Sequence, residues 1–283
     1  MRPVIPLFVV DAFSDEPFRG NPAGVCVLPA GPWPDDVWLQ SVAAEMRHSE
    51  TAFVRPRDDA EGADRDLRWF TPAVEVALCG HATLATAHVL WTEGRTAPDA
   101  DPLCFHTRSG RLCARRVAGR PQLDFPALAS TPVDPGLEPG VHDALTRALG
   151  AEPVALARSA HDLLVELTDA RAVRALDPDP VAVADIDTRG VVVTATSDDP
   201  EFDFVSRFFA PRVGVDEDPV TGSAHCALAP YWARRIGRAD LVGRQVSARG
   251  GTVHCTLVTE GADGHRVLLA GSAVTVWRGT LVV

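Results

Sequence analysis

Two stretches of this chain are versions of one another, and nothing else in the sequence constrains the fold as strongly. Arg68-Trp69-Phe70-Thr71-Pro72-Ala73-Val74-Glu75-Val76 and Arg207-Phe208-Phe209-Ala210-Pro211-Arg212-Val213-Gly214-Val215 agree at five of nine positions with a constant offset of 139. The offset becomes 142 for Gly80/Gly222, Ala82/Ala224, Ala85/Ala227 and Ala87/Ala229, and 141 for Arg108/Arg249 and Gly110/Gly251. One match is noise, but three in order mark an internal duplication. The 283 residues suffice for two domains, each with its own core.

Short apolar runs at 7–10, 25–28 and 51–54 read as strands, with Gly20-Asn21-Pro22 supplying turn chemistry between the first two. Asp35 and Asp36 precede Leu39, Val42, Ala43 and Met46 at helical spacing, which predicts an amphipathic helix over 35–47. Residues 82–91 and 223–232 carry no Asp, Glu, Lys or Arg, and a helix apolar on every side is a buried one. Sheets wrapped around two central helices are therefore expected. Pro126, Pro132, Pro135, Gly136, Pro139 and Gly140 crowd one stretch, the best inter-domain linker.

The 27 basic and 38 acidic side chains leave a net charge of -11. Such a surface repels phosphate backbones and anionic lipid, so neither nucleic acid nor membrane is an expected partner. Residues 4–10 are interrupted by Pro6 and too short for a signal or spanning segment. The six cysteines show no C-x-x-C pair or metal-finger spacing, which reads as reduced thiols in a cytoplasmic protein. His225-Cys226 and His254-Cys255 lack a third ligand, and no metal is expected.

Duplication makes the two loop-to-helix junctions, Gly80-His81 and Gly222-Ser223, the candidate cleft. Free N–H groups and the helix dipole make each an anion site, and together they are expected to hold one carboxylate. A single such glycine is more often a permissive turn; its repetition with polar companions raises the functional reading. The second half inserts three residues before its junction, in Glu217-Asp218-Pro219-Val220-Thr221-Gly222-Ser223-Ala224. These carboxylates read either as helix-capping residues, with Thr221 or Ser223 as the cap, or as a role taken by one half only. His81 starts a buried helix, where a neutral imidazole is expected. Cys79 suggests a racemase with one thiol per half, but its repeat partner is Thr221 and Cys226 lies beyond the glycine, so packing is the better reading. Glu50, alone, is an ordinary strand-end carboxylate.

Asp11-Ala12-Phe13, Gly20-Asn21-Pro22, Ser49-Glu50-Thr51, Phe70-Thr71-Pro72, Cys79-Gly80-His81-Ala82-Thr83, the 217–224 segment and Gly279 together resemble the phenazine-biosynthesis (PhzF-like) isomerase family of the diaminopimelate-epimerase-like superfamily. The resemblance covers essentially the whole chain. It implies an α+β fold of two similar domains, each a curled, mainly antiparallel, barrel-like sheet around a central helix. The domains are expected at 1–128, joined by a C-terminal strand at about 275–283, and at 129–274.

The same resemblance implies cofactor-free proton relocation on a small amino- or hydroxy-carboxylate, similar to trans-2,3-dihydro-3-hydroxyanthranilate isomerisation. Glu50 matches the acid/base residue. His81 and Asp218 match groups that orient substrate, and Gly80, Gly222 and Ser223 match substrate contacts. A homodimer is implied, with no metal or organic cofactor. The alternatives are a cysteine-dependent racemase or epimerase and a non-catalytic metabolite-binding protein.

Overall fold

The computed structural model describes residues 4–57, 64–97, 99–134, 136, 138–260 and 264–282. Pro135 of the proline-rich stretch lies outside the described residues. The chain divides into two compact units, one made of Met1–Asp124 with Ala270–Val283 and the other of Phe125–Leu269.

The first unit is a mixed, mainly antiparallel sheet. β1 (Val4–Ala12) pairs antiparallel with β2 (Asn21–Val27) on one side and with the C-terminal strand Ala273–Val282 on the other. β2 runs parallel to β3 (Glu50–Pro56), and β3 antiparallel to β4 (Arg65–Phe70). The two-residue β5 (Glu75–Val76) folds back on β4, which also runs parallel to β6 (Leu103–Thr107). β7 (Gly110–Val117) and β8 (Arg120–Pro126) complete an antiparallel meander, and the chain crosses to the second unit within β8.

Parallel pairing at β2/β3 requires a crossover, which α1 (Asp36–Met46) supplies. Asp35 caps it by accepting from Val37 N–H, and Arg47 ends it in the left-handed region at φ 55°. Leu39, Val42 and Ala43 pack on Leu7, Cys26, Phe53 and Phe70 of the sheet. The Phe53 and Phe70 rings meet edge to face at 5.5 Å, a contact of roughly 0.5–1.5 kcal/mol. α2 (Gly80–Thr92) buries nine of its side chains and packs on β1, β2, β3, β7 and the C-terminal strand. Central strands lined by helices on both faces need continuous apolar runs, as at Val25-Cys26-Val27-Leu28.

The second unit repeats the plan. β9 (Thr131–Pro132), β10 (Ala155–Arg158), β11 (Asp162–Glu166), β12 (Gly190–Thr196), β13 (Phe204–Phe209), β14 (Asp240–Gln245) and β15 (Gly251–Glu260) pair in that order. β11/β12 and β13/β14 are the parallel pairs; β16 (Gly264–Ala270) returns the chain toward the first unit. α3 (Val141–Leu149), α4 (Ala170–Arg174) and α5 (Pro180–Ala184) cover one core, built on Leu145, Leu163, Val165, Val191 and Phe209.

The central helix α6 (Gly222–Ile236) is longer than the expected 223–232 and passes through Pro230. Pro230 has no N–H for the carbonyl of Cys226, and Leu128 N–H bonds that carbonyl at 3.0 Å instead. Trp232 stacks on Phe204 at 5.9 Å and donates Nε1–H to Thr194 Oγ1 at 3.0 Å. In both units the sheet is curled around its helix without closing into a barrel.

One expectation is corrected. Cys104 and Cys113 stand opposite each other in the β6/β7 hairpin, Cα atoms 4.1 Å apart, and form a disulfide. Cys26, Cys79, Cys226 and Cys255 are free and buried. Among the described residues, no helix is long and apolar enough to cross a membrane.

Candidate active site

Helix ends in this molecule fall into two kinds. α1, α4 and α5 begin with an Asp side chain bonded to a first-turn N–H: Asp35, Asp169 and Asp179. α2 and α6 begin at Cys79 and Thr221 with no side-chain cap, as does α3 at Gly140. The first-turn N–H groups of the two central helices thus keep their affinity for an acceptor.

In the first unit, Gly80 is the first residue of α2 and His81 the second. β3 starts at Glu50, whose Oε2 lies 3.3 Å from His81 Nε2. His81 is buried, and burial, followed by the nearby charge of His48, pushes its pKa down to about 3. The imidazole is therefore neutral at ordinary pH, and the contact with Glu50 is not an ion pair. Nor is it aligned as a hydrogen bond, since Nε2 has no hydrogen-bond partner. The other ring nitrogen, Nδ1, meets Cys79 Sγ at 3.4 Å. Ser49 Oγ reaches Asn21 Oδ1 at 3.3 Å, tying the start of β3 to the Gly-Asn-Pro turn.

Glu50, Cys79 and His81 each offer one ligand atom, all within 4.8 Å of one another. Glu50 faces Nε2 and Cys79 faces Nδ1, yet an imidazole gives an ion one nitrogen only. All three cannot hold one metal unless the ring turns out of its buried seat, so the trio fits a proton-handling group better than a metal centre.

In the second unit, the loop before α6 is stitched down by its own polar residues and by Gln245, which sequence reasoning missed. Asp218 Oδ2 accepts the hydroxyl of Thr221, so that hydroxyl does not cap α6. Asp218 N–H donates to Phe208 O at 3.0 Å. Buried Gln245 accepts Thr221 N–H at 2.9 Å and donates to Asp218 O at 2.7 Å. Glu217 does not cap either; it takes both arms of Arg207, at 2.7 and 2.9 Å. Arg68 forks on Glu75 in the same way at 2.8 Å, so each copy of the duplicated arginine holds a carboxylate, at positions the repeat does not align. Ser223, in the first turn of α6, accepts from Arg189 Nη2 at 3.0 Å. Arg189 and its partner Asp162 gave no sequence signal beyond that of ordinary surface charges.

The structure thus gathers Glu50, Gly80 and His81 in the first unit, and Asp218, Gly222 and Ser223 in the second. Comparison with known proteins identifies the family to which the chain belongs. The family model for phenazine biosynthesis-like protein (PhzC-PhzF) matches residues 10–279. An uncharacterized isomerase of Halalkalibacterium halodurans is 44% identical over 278 residues, covering 98% of each chain. Another from Pseudomonas aeruginosa is 50% identical over 272 residues, 96% of each chain. A crystal structure of a phenazine biosynthesis protein of the PhzF family from Enterococcus faecalis superposes with a TM-score of 0.86 at 38% identity, covering 99% of this chain and 100% of that one.

Proposed function

Since this chain belongs to the PhzC-PhzF family and is an isomerase of that kind, we propose that it relocates a proton on a small amino- or hydroxy-carboxylate without a cofactor. Glu50 is the acid/base group: its carboxylate takes a proton from one substrate carbon and returns it to another, with the electron pair moving through the intervening double bond. No electrons are gained or lost overall.

The observation that carries this reading is the Glu50–His81 pair, a carboxylate 3.3 Å from a buried, neutral imidazole. Because it is neutral, His81 holds a substrate hydroxyl or amino group without competing for the proton that Glu50 handles. Gly80 contributes an uncapped helix start. Asp218, Gly222 and Ser223 enter the proposal as substrate-holding groups through the family resemblance, as do the homodimer and the cytoplasmic location.

Solvent-deuterium exchange into candidate amino- and hydroxy-carboxylates tests the proposal. Glu50→Gln, which keeps shape but not basicity, is expected to lose exchange while His81→Gln weakens substrate binding. Full exchange by Glu50→Gln removes Glu50 from the mechanism. The contact between Cys79 Sγ and His81 Nδ1 favours a second reading, a thiol-dependent racemase or epimerase. On that reading Cys79→Ser abolishes exchange and Glu50→Gln does not.

A further inference from the structure

The two units set opposite charges beside matching first-turn residues of their central helices. In the parallel pairing of β2 with β3, Ala23 stands beside Glu50; in β11 with β12, Asp162 stands beside Gly190. Across the antiparallel neighbour, Thr51 faces Phe70 and Val191 faces Phe209, and these phenylalanines are repeat partners. Gly190 is therefore the structural counterpart of Glu50, and Arg189 directly precedes it. By the repeat, Ser223 is the counterpart of His81. Where the first unit aims a carboxylate at its first-turn residue, the second aims a guanidinium.

Arg189 is held for that purpose. Nε donates to Asp162 Oδ1 at 2.8 Å and Nη2 to the other carboxylate oxygen, and Asp162 is 1% exposed. Its own N–H bonds His161 O at 3.2 Å, and its guanidinium carbon lies 5.6 Å from the centre of the Phe208 ring. Phe208 comes this close to the strand start because residue 190 is glycine: a Cβ there would meet the ring at 2.5 Å. About a third of the Arg189 side chain remains open to solvent. The positive field of Arg189 and Arg266 also works against burial at the Cys226 thiol, one turn into α6.

A hydroxyl that accepts from a cation keeps its own proton for another acceptor. We propose that Arg189, anchored by Asp162, is a positioning residue that turns the Ser223 hydroxyl into a hydrogen-bond donor for an anionic group of the substrate. This deepens the proposed function, on which it rests for the placement of the substrate carboxylate at Ser223; what it adds is the group that fixes the direction of the Ser223 hydroxyl. Repetition of one fold then gives a basic group for proton transfer in one half and a fixed donor for charge in the other.

The test is a binding titration of the full-length protein with anthranilate, and with aniline as the same ring lacking the carboxylate. Anthranilate is expected to bind and aniline not. Arg189→Met should weaken anthranilate about ten-fold or more, the usual scale for losing a charge-supported hydrogen bond. If Arg189→Met does not fold, Asp162→Asn serves in its place, since it keeps the shape of the anchor and removes its charge. Arg189→Lys, which keeps charge without the fork, should fall between wild type and Met.

A positioning role is separated from a structural one by the double variant. Ser223→Ala and Arg189→Met together should weaken binding little more than Ser223→Ala alone, because Arg189 acts through that hydroxyl. Unchanged affinity in a folded Arg189→Met, additive losses in the double variant, equal binding of aniline, or no binding of anthranilate by wild type each overturns the proposal. The two readings fail separately: exchange that survives Glu50→Gln overturns the proposed function, whereas the Arg189→Met titration is read from affinity alone and needs no turnover.

Discussion

Acid should destabilise this protein through two buried histidines, His81 and His225. His81 is depressed from 6.5 to about 3 and His225 from 6.5 to about 4, in each case first by burial. Both folded values lie below the unfolded one, which fixes the sign. Above pH 6.5 neither state takes a proton at these sites, and stability is full. As pH falls through 6.5 the unfolded chain binds protons that the folded chain cannot, so stability is lost until the folded pKa is reached.

Linkage gives the size of the effect. At about pH 5 an unfolded histidine of pKa 6.5 is about 97% protonated while the buried one stays neutral, a loss of about 2 kcal/mol for each residue. Asp64 and Glu75 are held by arginines below their ordinary values of 3.8 and 4.5, so they keep their contribution throughout this window. His88, also depressed, acts in the same sense as His81.

Urea unfolding of wild type and His81→Gln at about pH 8 and about pH 5 measures the difference. Whatever the variant's stability at about pH 8, its drop between the two values should be smaller than that of wild type by about 2 kcal/mol. A drop matching wild type within about 0.5 kcal/mol, the scatter expected of a neutral substitution, refutes the claim that His81 is buried uncharged.

Two further outcomes follow from covalent and steric facts. In denaturant without reductant, thiol titration of the purified protein should count four free cysteines, rising to six after reduction; six at the outset would contradict the Cys104–Cys113 bond. Gly190→Ala places a methyl 2.5 Å from the buried Phe208 ring and should cost roughly 1–3 kcal/mol, so an unchanged melting temperature would contradict the close packing there.

The parts of the fold legible in the sequence were those written in contiguous periodicity. The uncharged runs after Gly80 and Gly222 announced buried helices because a helix enclosed by a sheet has no face on which charge can be solvated. The 35–47 helix was legible from the two aspartates that lead into it and its spaced apolar residues. Glu50 entered only through its family motif, because nothing local distinguishes a carboxylate that will face an imidazole 31 positions later from one that will face water.

What was illegible depends on register. Cys104 and Cys113 meet because the hairpin turns at 108–109 and puts them opposite one another, a relation that no cysteine spacing rule encodes. Arg189 and Asp162 come together only when β11 and β12 lie parallel, and in sequence each looks like one more solvated charge. Gln245 was missed for the same reason: its role depends on where β14 ends beside the loop before α6. The expected curled sheets are present, and strand patterns alone leave undecided only that they stay open.

The return of the C-terminal strand to β1 has a consequence for biosynthesis. β1 needs Ala273–Val282 as its second neighbour, yet all of 125–269 is made in between. At about 5–20 residues per second, the ribosome takes roughly 7–30 s to deliver that segment. The second unit, continuous in sequence, can complete its sheet as it emerges. Over the same interval the first presents one whole side of β1 with its N–H and C=O groups unmatched, an open edge of the kind that recruits foreign strands. Of the two halves of this duplicated protein, the one that begins first is therefore the one that finishes last, and the one that most needs a chaperone's cover while it waits.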